Sequence, residues 1–169
     1  MSKKLEDILS SGAFGKKTRV NSKRKGSSFE RKVVKLLNER FNTKEFARTP
    51  GSGAFGTTHS LPQHLIVHGD IITPQNFKYV IECKNGYGVE LDDLFNEKSD
   101  MYKFIEQAAR DGVKARRPWM LIYKKDRRKE IAVVENKIDC LERGVCLHGK
   151  YYLYLLKDIL GLPDFYWVN

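Results

Sequence analysis

The stretch Gly69-Asp70-Ile71-Ile72-Thr73-Pro74-Gln75-Asn76-Phe77-Lys78-Tyr79-Val80-Ile81-Glu82-Cys83-Lys84 holds two apolar runs around a turn. Thr73-Pro74-Gln75-Asn76 has turn chemistry, and each flanking run reads as a strand. Side chains alternate faces along a strand, so Glu82 and Lys84 point one way and Cys83 the other. If residues 66–72 and 77–84 pair as a hairpin, Asp70 lies beside Glu82, with an ammonium next to both. Unpaired carboxylates repel, and a hard divalent cation is the natural remedy. For Asp70, simple turn chemistry after Gly69 is countered by the apolar Ile71-Ile72 that follows. For Glu82 and Lys84 the plain alternative is a surface charge pair, which the buried-strand character of Tyr79-Val80-Ile81 argues against.

Working outward, residues 28–41 read as a helix, with Phe29, Val33, Leu36, Leu37 and Phe41 at helical spacing. Ser27-Ser28-Phe29-Glu30 is a serviceable capping box, so Glu30 could simply cap this helix. It also shares a stripe with Val33, Val34 and Leu37, and an inward-leaning acid is usually satisfied or functional. Residues 44–48 form a short strand candidate, followed by a Gly/Ser/Thr loop over 50–63. Residues 91–110 read as mostly helical, with Met101, Phe104, Ile105 and Ala108 as the apolar face and Gly112 as the stop. Strands follow at 119–123 and 131–134 around a charged turn, then at 151–155, with a helical turn at 157–160. The order α, β, β, β, α, β, β predicts an α/β protein: a mixed β-sheet flanked by helices. Residues 1–25 read as a basic flexible N-terminal tail and 26–169 as the folded domain.

The 169 residues carry 31 Lys+Arg against 21 Asp+Glu, a formal charge of +10, which favours a polyanionic partner. No apolar run reaches membrane-spanning length, and the N-terminus lacks the apolar core of a signal peptide. Three cysteines without motif spacing suit a reducing compartment, so a cytoplasmic protein without a membrane partner is expected. Basic runs at Lys23-Arg24-Lys25, at Arg31, Lys32 and Lys35, at Arg116-Arg117 and over 124–129 would together give many phosphate contacts with little base reading.

Other constellations are weaker. Gly51–Gly56 spells G-x-G-x-x-G, but no helix opens after it, which argues against a dinucleotide site. His64 and His68 fall on one face of a β-like segment and read as ordinary side chains. Cys140, Cys146 and His148 offer zinc ligands without an obvious fourth.

With these residues in view, the chain resembles the PD-(D/E)XK nuclease superfamily. Glu30 lies on a first helix, Gly69-Asp70 stands for the Pro-Asp pair, and Ile81-Glu82-Cys83-Lys84 matches the acid-x-Lys strand. Lys25-Gly26-Ser27-Ser28-Phe29-Glu30-Arg31 and Arg48-Thr49-Pro50-Gly51-Ser52-Gly53 are similar to segments of archaeal-type Holliday junction resolvases, also found in viruses. The resemblance spans roughly residues 23–125. It implies a restriction-endonuclease-like fold and a metal-dependent DNA endonuclease acting on four-way junctions as a homodimer. Asp70, Glu82 and the main-chain carbonyl of Cys83 would hold Mg²⁺, for which Mn²⁺ could substitute, with Glu30 contributing directly or through water. Lys84 would orient the attacking water, Ser52 would contact the phosphate near the cut, and Arg48 would join the basic contacts. Gln107 matches a glutamine that some members carry on the following helix. Another superfamily nuclease (duplex endonuclease, nickase or exonuclease) and a non-catalytic DNA-binding protein are the alternatives.

Overall fold

The computed structural model describes residues 22–50, 65–66, 68–86 and 88–168, excluding the side chains of residues 22, 23, 65 and 66. The described elements are α1 (Ser22–Phe41), β1 (Ala47–Arg48), β2 (Leu65–Ile66), β3 (Ile71–Pro74), β4 (Val80–Asn85), α2 (Asp100–Ala115), β5 (Trp119–Lys124), β6 (Ile131–Val134), β7 (Val145–Leu147), β8 (Tyr151–Leu155) and α3 (Leu156–Leu160). One sheet runs in the order β4-β5-β6-β8-β7 and a smaller one in the order β1-β3-β2. β4 and β5 are parallel, with Glu82 opposite Leu121 and Lys84 opposite Tyr123. Every other pairing in the larger sheet is antiparallel. The predicted mixed sheet with flanking helices is therefore present. Parallel neighbours need a crossover, and α2 provides it.

β5, Trp-Met-Leu-Ile-Tyr-Lys, is apolar almost throughout because both of its faces are covered. Met120 and Ile122 join a core with Phe29, Val33 and Leu37 of α1. Trp119, Leu121 and Tyr123 join a second core with Met101, Phe104, Ile105 and Ala108 of α2. The apolar stripe expected on α2 is thus the buried one. Gly112 does not end that helix. It sits inside it, where an added Cβ would lie 2.9 Å from the Arg117 carbonyl oxygen and 3.0 Å from the Trp119 ring. The helix stops at Ala115, with Arg116 in the left-handed region. Residues 91–99 are not continuous with it but contain a separate 3-10 turn, Asp92–Phe95.

Three further expectations are corrected. α1 begins at Ser22 rather than Ser28, so Ser27 and Glu30 lie inside the helix and no capping box forms. The first helical turns are held by Lys25 on Asp126 at 2.6 Å and Lys32 on Glu130 at 2.5 Å, contacts from across the fold that local propensity could not announce. Residues 66–72 and 77–84 do not form a hairpin: β3 pairs with β1 and β2, and only Gly69 bridges Ile81, in parallel sense. Finally, β7 is a strand the hydrophobic pattern did not suggest, its Val145 and Cys146 being exposed and Leu147 buried.

The C-terminal aromatics close the first core. Trp167 is buried, stacks on Phe77 at 5.7 Å and meets Phe41 edge-on at 5.5 Å. No described helix is long and apolar enough to cross a membrane.

Candidate active site

Gly69 makes the site possible. It adopts φ +72°, and a Cβ there would stand 2.4 Å from the Ile81 carbonyl oxygen. Proline, which holds φ near −65°, could not occupy this position. The close approach lets the Asp70 amide donate to Ile81 O at 2.9 Å, while Asp70 O accepts from the Thr49 amide at 2.9 Å. The Asp70 carboxylate then turns along β4, where its Oδ2 accepts the Cys83 amide at 2.9 Å. One residue thereby bridges the small sheet to the edge of the large one.

Glu82 is 1% exposed. Its Oε1 accepts from Lys84 Nζ at 2.6 Å and from Gln107 Nε2 at 2.5 Å. Burial raises the Glu82 pKa, the adjacent Asp70 charge raises it further, and Lys84 opposes both. The Lys84 ammonium also lies 5.6 Å from the centre of the Phe104 ring, one helical turn before Gln107. Cys83 faces the opposite way into the first core, as expected. Burial, followed by the negative charges of Asp70, Glu82 and Glu30, raises its thiol pKa, so the sulfur stays neutral.

Glu30 approaches from α1, but its carboxylate is engaged by the Arg48 guanidinium. Among the described residues, no three His, Cys, Asp or Glu side chains lie within joint reach of one ion. The donors that do converge are the carboxylates of Asp70 and Glu82. Such a set fits a magnesium-like cation, which binds through one or two carboxylates and keeps several waters. Burial is the main cause of the raised Glu82 pKa, and the Asp70 charge beside it adds a repulsion that a cation would relieve.

The predicted basic residues divide into two groups. Arg24, Arg31 and Arg116 are exposed. Lys25, Lys32 and Arg48 are tied up in ion pairs with Asp126, Glu130 and Glu30. Arg117, expected on DNA, donates to the carbonyls of Phe77 and Gln75 and so anchors the turn ahead of β4. Ser52 and the Lys23 side chain lie outside the described residues, as do the loop at 51–64 and His64. Two contributors carried no clear sequence signal. Phe104 sits in the same stripe as Gln107 but reads simply as core, and Thr49, buried beside Asp70, acts through its backbone.

The chain is 34% identical over 123 residues to "Protein D14" of Escherichia phage T5, covering 69% of this chain and 72% of that protein. A solved structure of Archaeoglobus fulgidus Hjc, a Holliday junction resolvase, is similar over 80% of this chain and 100% of its own, at 17% identity and a TM-score of 0.39. Residues 21–144 match the family described as "Phage putative PDDEXK endonuclease", a span that takes in Glu30, Asp70, Glu82, Lys84 and Gln107. The chain belongs to that family, and so to the PD-(D/E)XK nucleases with their restriction-endonuclease-like fold.

Proposed function

We propose that this protein is a Mg²⁺-dependent endonuclease that nicks branched DNA and resolves four-way junctions by paired cuts. The observation that carries the reading is the meeting of Asp70, Glu82 and Lys84 at one sheet edge. A divalent cation held by Asp70, Glu82 and the Cys83 carbonyl, Mg²⁺ or Mn²⁺ in its place, would supply charge stabilisation at the scissile phosphate and acidify the attacking water. The remaining work belongs to the chain. Gln107 and Lys84 both donate to Oε1 of Glu82, so this carboxylate is held in one rotamer. Asp70 is fixed through three hydrogen bonds to backbone groups and cannot swing away. Lys84 places a positive charge where negative charge builds up on the phosphoryl oxygens, and it orients the nucleophilic water toward phosphorus. Glu30 would contribute directly or through water, and Ser52 would contact the phosphate beside the cut.

Selectivity for a branch rather than a sequence is supported by the charge of +10. The exposed arginines can contact phosphates at many points, contacts that position a nucleic acid without reading its bases. Two nicks placed symmetrically need two sites related by a two-fold axis, so the active species is a homodimer. The test uses a labelled immobile four-way junction and a linear duplex of equal length, with Mg²⁺ and then with EDTA. Paired symmetric nicks confined to the junction are expected, and EDTA should abolish them. Equal cutting of the duplex would move the protein to the duplex endonucleases. Junction binding without any cutting would leave it a binding protein.

A further inference from the structure

A cavity of about 580 Å³ opens on the α2 side of the large sheet. Its floor is Met101, Tyr123, Leu153 and Leu155, and one wall is Val89, Leu91 and Leu94. The opposite rim carries Lys125, Arg127, Arg128 and Lys129 from the β5–β6 turn. The wall beside Leu91 is acidic, with Glu90, Asp92 and Asp93 in sequence around it. Leu91 and Phe95 project from that wall at 76% and 77% exposure.

We propose that this face is the self-association surface of the protein: Leu91 and Phe95 of one copy enter the cavity of a second, and the acidic wall of each meets the basic rim of the other. The inference rests on the homodimer in the reading above and supplies its interface. A two-fold interface must be self-complementary, so the same patch has to hold both projection and socket and both charge signs. This patch does. Its two walls already attract each other within one chain, where Lys125 pairs with Glu90.

Other occupants fit less well. A nucleobase would place its polar edges against an aliphatic floor that offers little besides the Tyr123 hydroxyl, which carries a desolvation penalty. A phosphate backbone or an acidic peptide would meet the acidic wall. The location also suits paired nicking, because Tyr123 lies in register with Lys84 on the neighbouring strand. A two-fold axis through this cavity would set both candidate sites on either side of one centre.

Sedimentation equilibrium of the full chain tests the proposal. The wild type should dimerise, and Leu91→Glu or Phe95→Glu should raise the dimer dissociation constant by about 30-fold, the scale of a central anchor. Asp92→Arg and Arg128→Glu should each weaken the dimer, and the double reversal should recover most of the loss. A dimer indifferent to all of these substitutions overturns the interface while leaving paired nicking intact. A chain that sediments as a monomer throughout, alone and on a junction, overturns both. Weaker junction binding by Leu91→Glu, with sedimentation unchanged, gives the cavity to DNA and defeats the proposal.

Discussion

Gly69 shows how a single missing side chain carries a site. Its φ of +72° and the 2.4 Å approach to Ile81 O leave no room for Cβ. Gly69→Ala should therefore cost at least about 2 kcal/mol, from left-handed strain plus the clash, readable as a lower urea midpoint at unchanged slope. The carboxylate pair yields a second expectation. Asp70→Asn, Glu82→Gln and Lys84→Ala should each abolish detectable junction cleavage while junction binding in a gel-shift assay persists. Robust turnover by any one of them would remove that residue from the chemistry. Substituting Gln107 should be milder, because it steadies Glu82 without replacing its charge. At this scale strand alternation put Glu82 and Lys84 on one face, whereas Asp70 was set beside them through a hairpin that does not form and Gln107 entered only through the family resemblance. The Arg48–Glu30 pair was not legible, since nothing local joins residues on a helix and a distant strand.

Among the elements, the contact between α1 and the β5–β6 turn responds to pH. Burial would raise the Glu130 pKa, but hydrogen bonds from Lys32 and Lys124 outweigh it and hold the group at about 2, below its ordinary 4.5. A depressed carboxylate pKa contributes stability that is present above the unfolded value and lost as pH falls toward the folded one. The pairing should therefore stabilise fully above about pH 5 and fade between pH 4.5 and 2. Comparing thermal melts of wild type and Glu130→Gln checks this. The gap should be on the order of 1–3 kcal/mol at pH 7 and should close near pH 2. A gap that persists at pH 2 would assign the effect to packing. Elements with strong periodicity, such as α2, β5, β6 and β8, were readable from the apolar pattern. The start of α1 was not, because Lys25 and Lys32 are held there by acids about a hundred positions away. β7 was also missed, being a short edge strand with only Leu147 buried.

For the whole molecule, the +10 charge sets how strongly binding depends on salt, but much of the basic surface is already neutralised in the fold. Lys25, Lys32, Arg48 and Arg117 serve internal contacts, whereas Arg24, Arg31 and Arg116 face solvent. Replacing those three arginines with alanine should flatten the slope of log Kd for junction DNA against log salt by about 0.9 for each phosphate left without its guanidinium. Replacing Lys25 should change the slope less and stability more. By itself, the order of residues determined the α/β class, the net positive charge and the shared face of Glu82 and Lys84, because charge count, apolar period and strand alternation are local properties. Only the tertiary structure decided that β3 leaves β4 after a single bridge and that Arg48 meets Glu30. It likewise decided which cations stay exposed. Pairings between distant segments depend on which surfaces the fold brings face to face, and no local pattern encodes that.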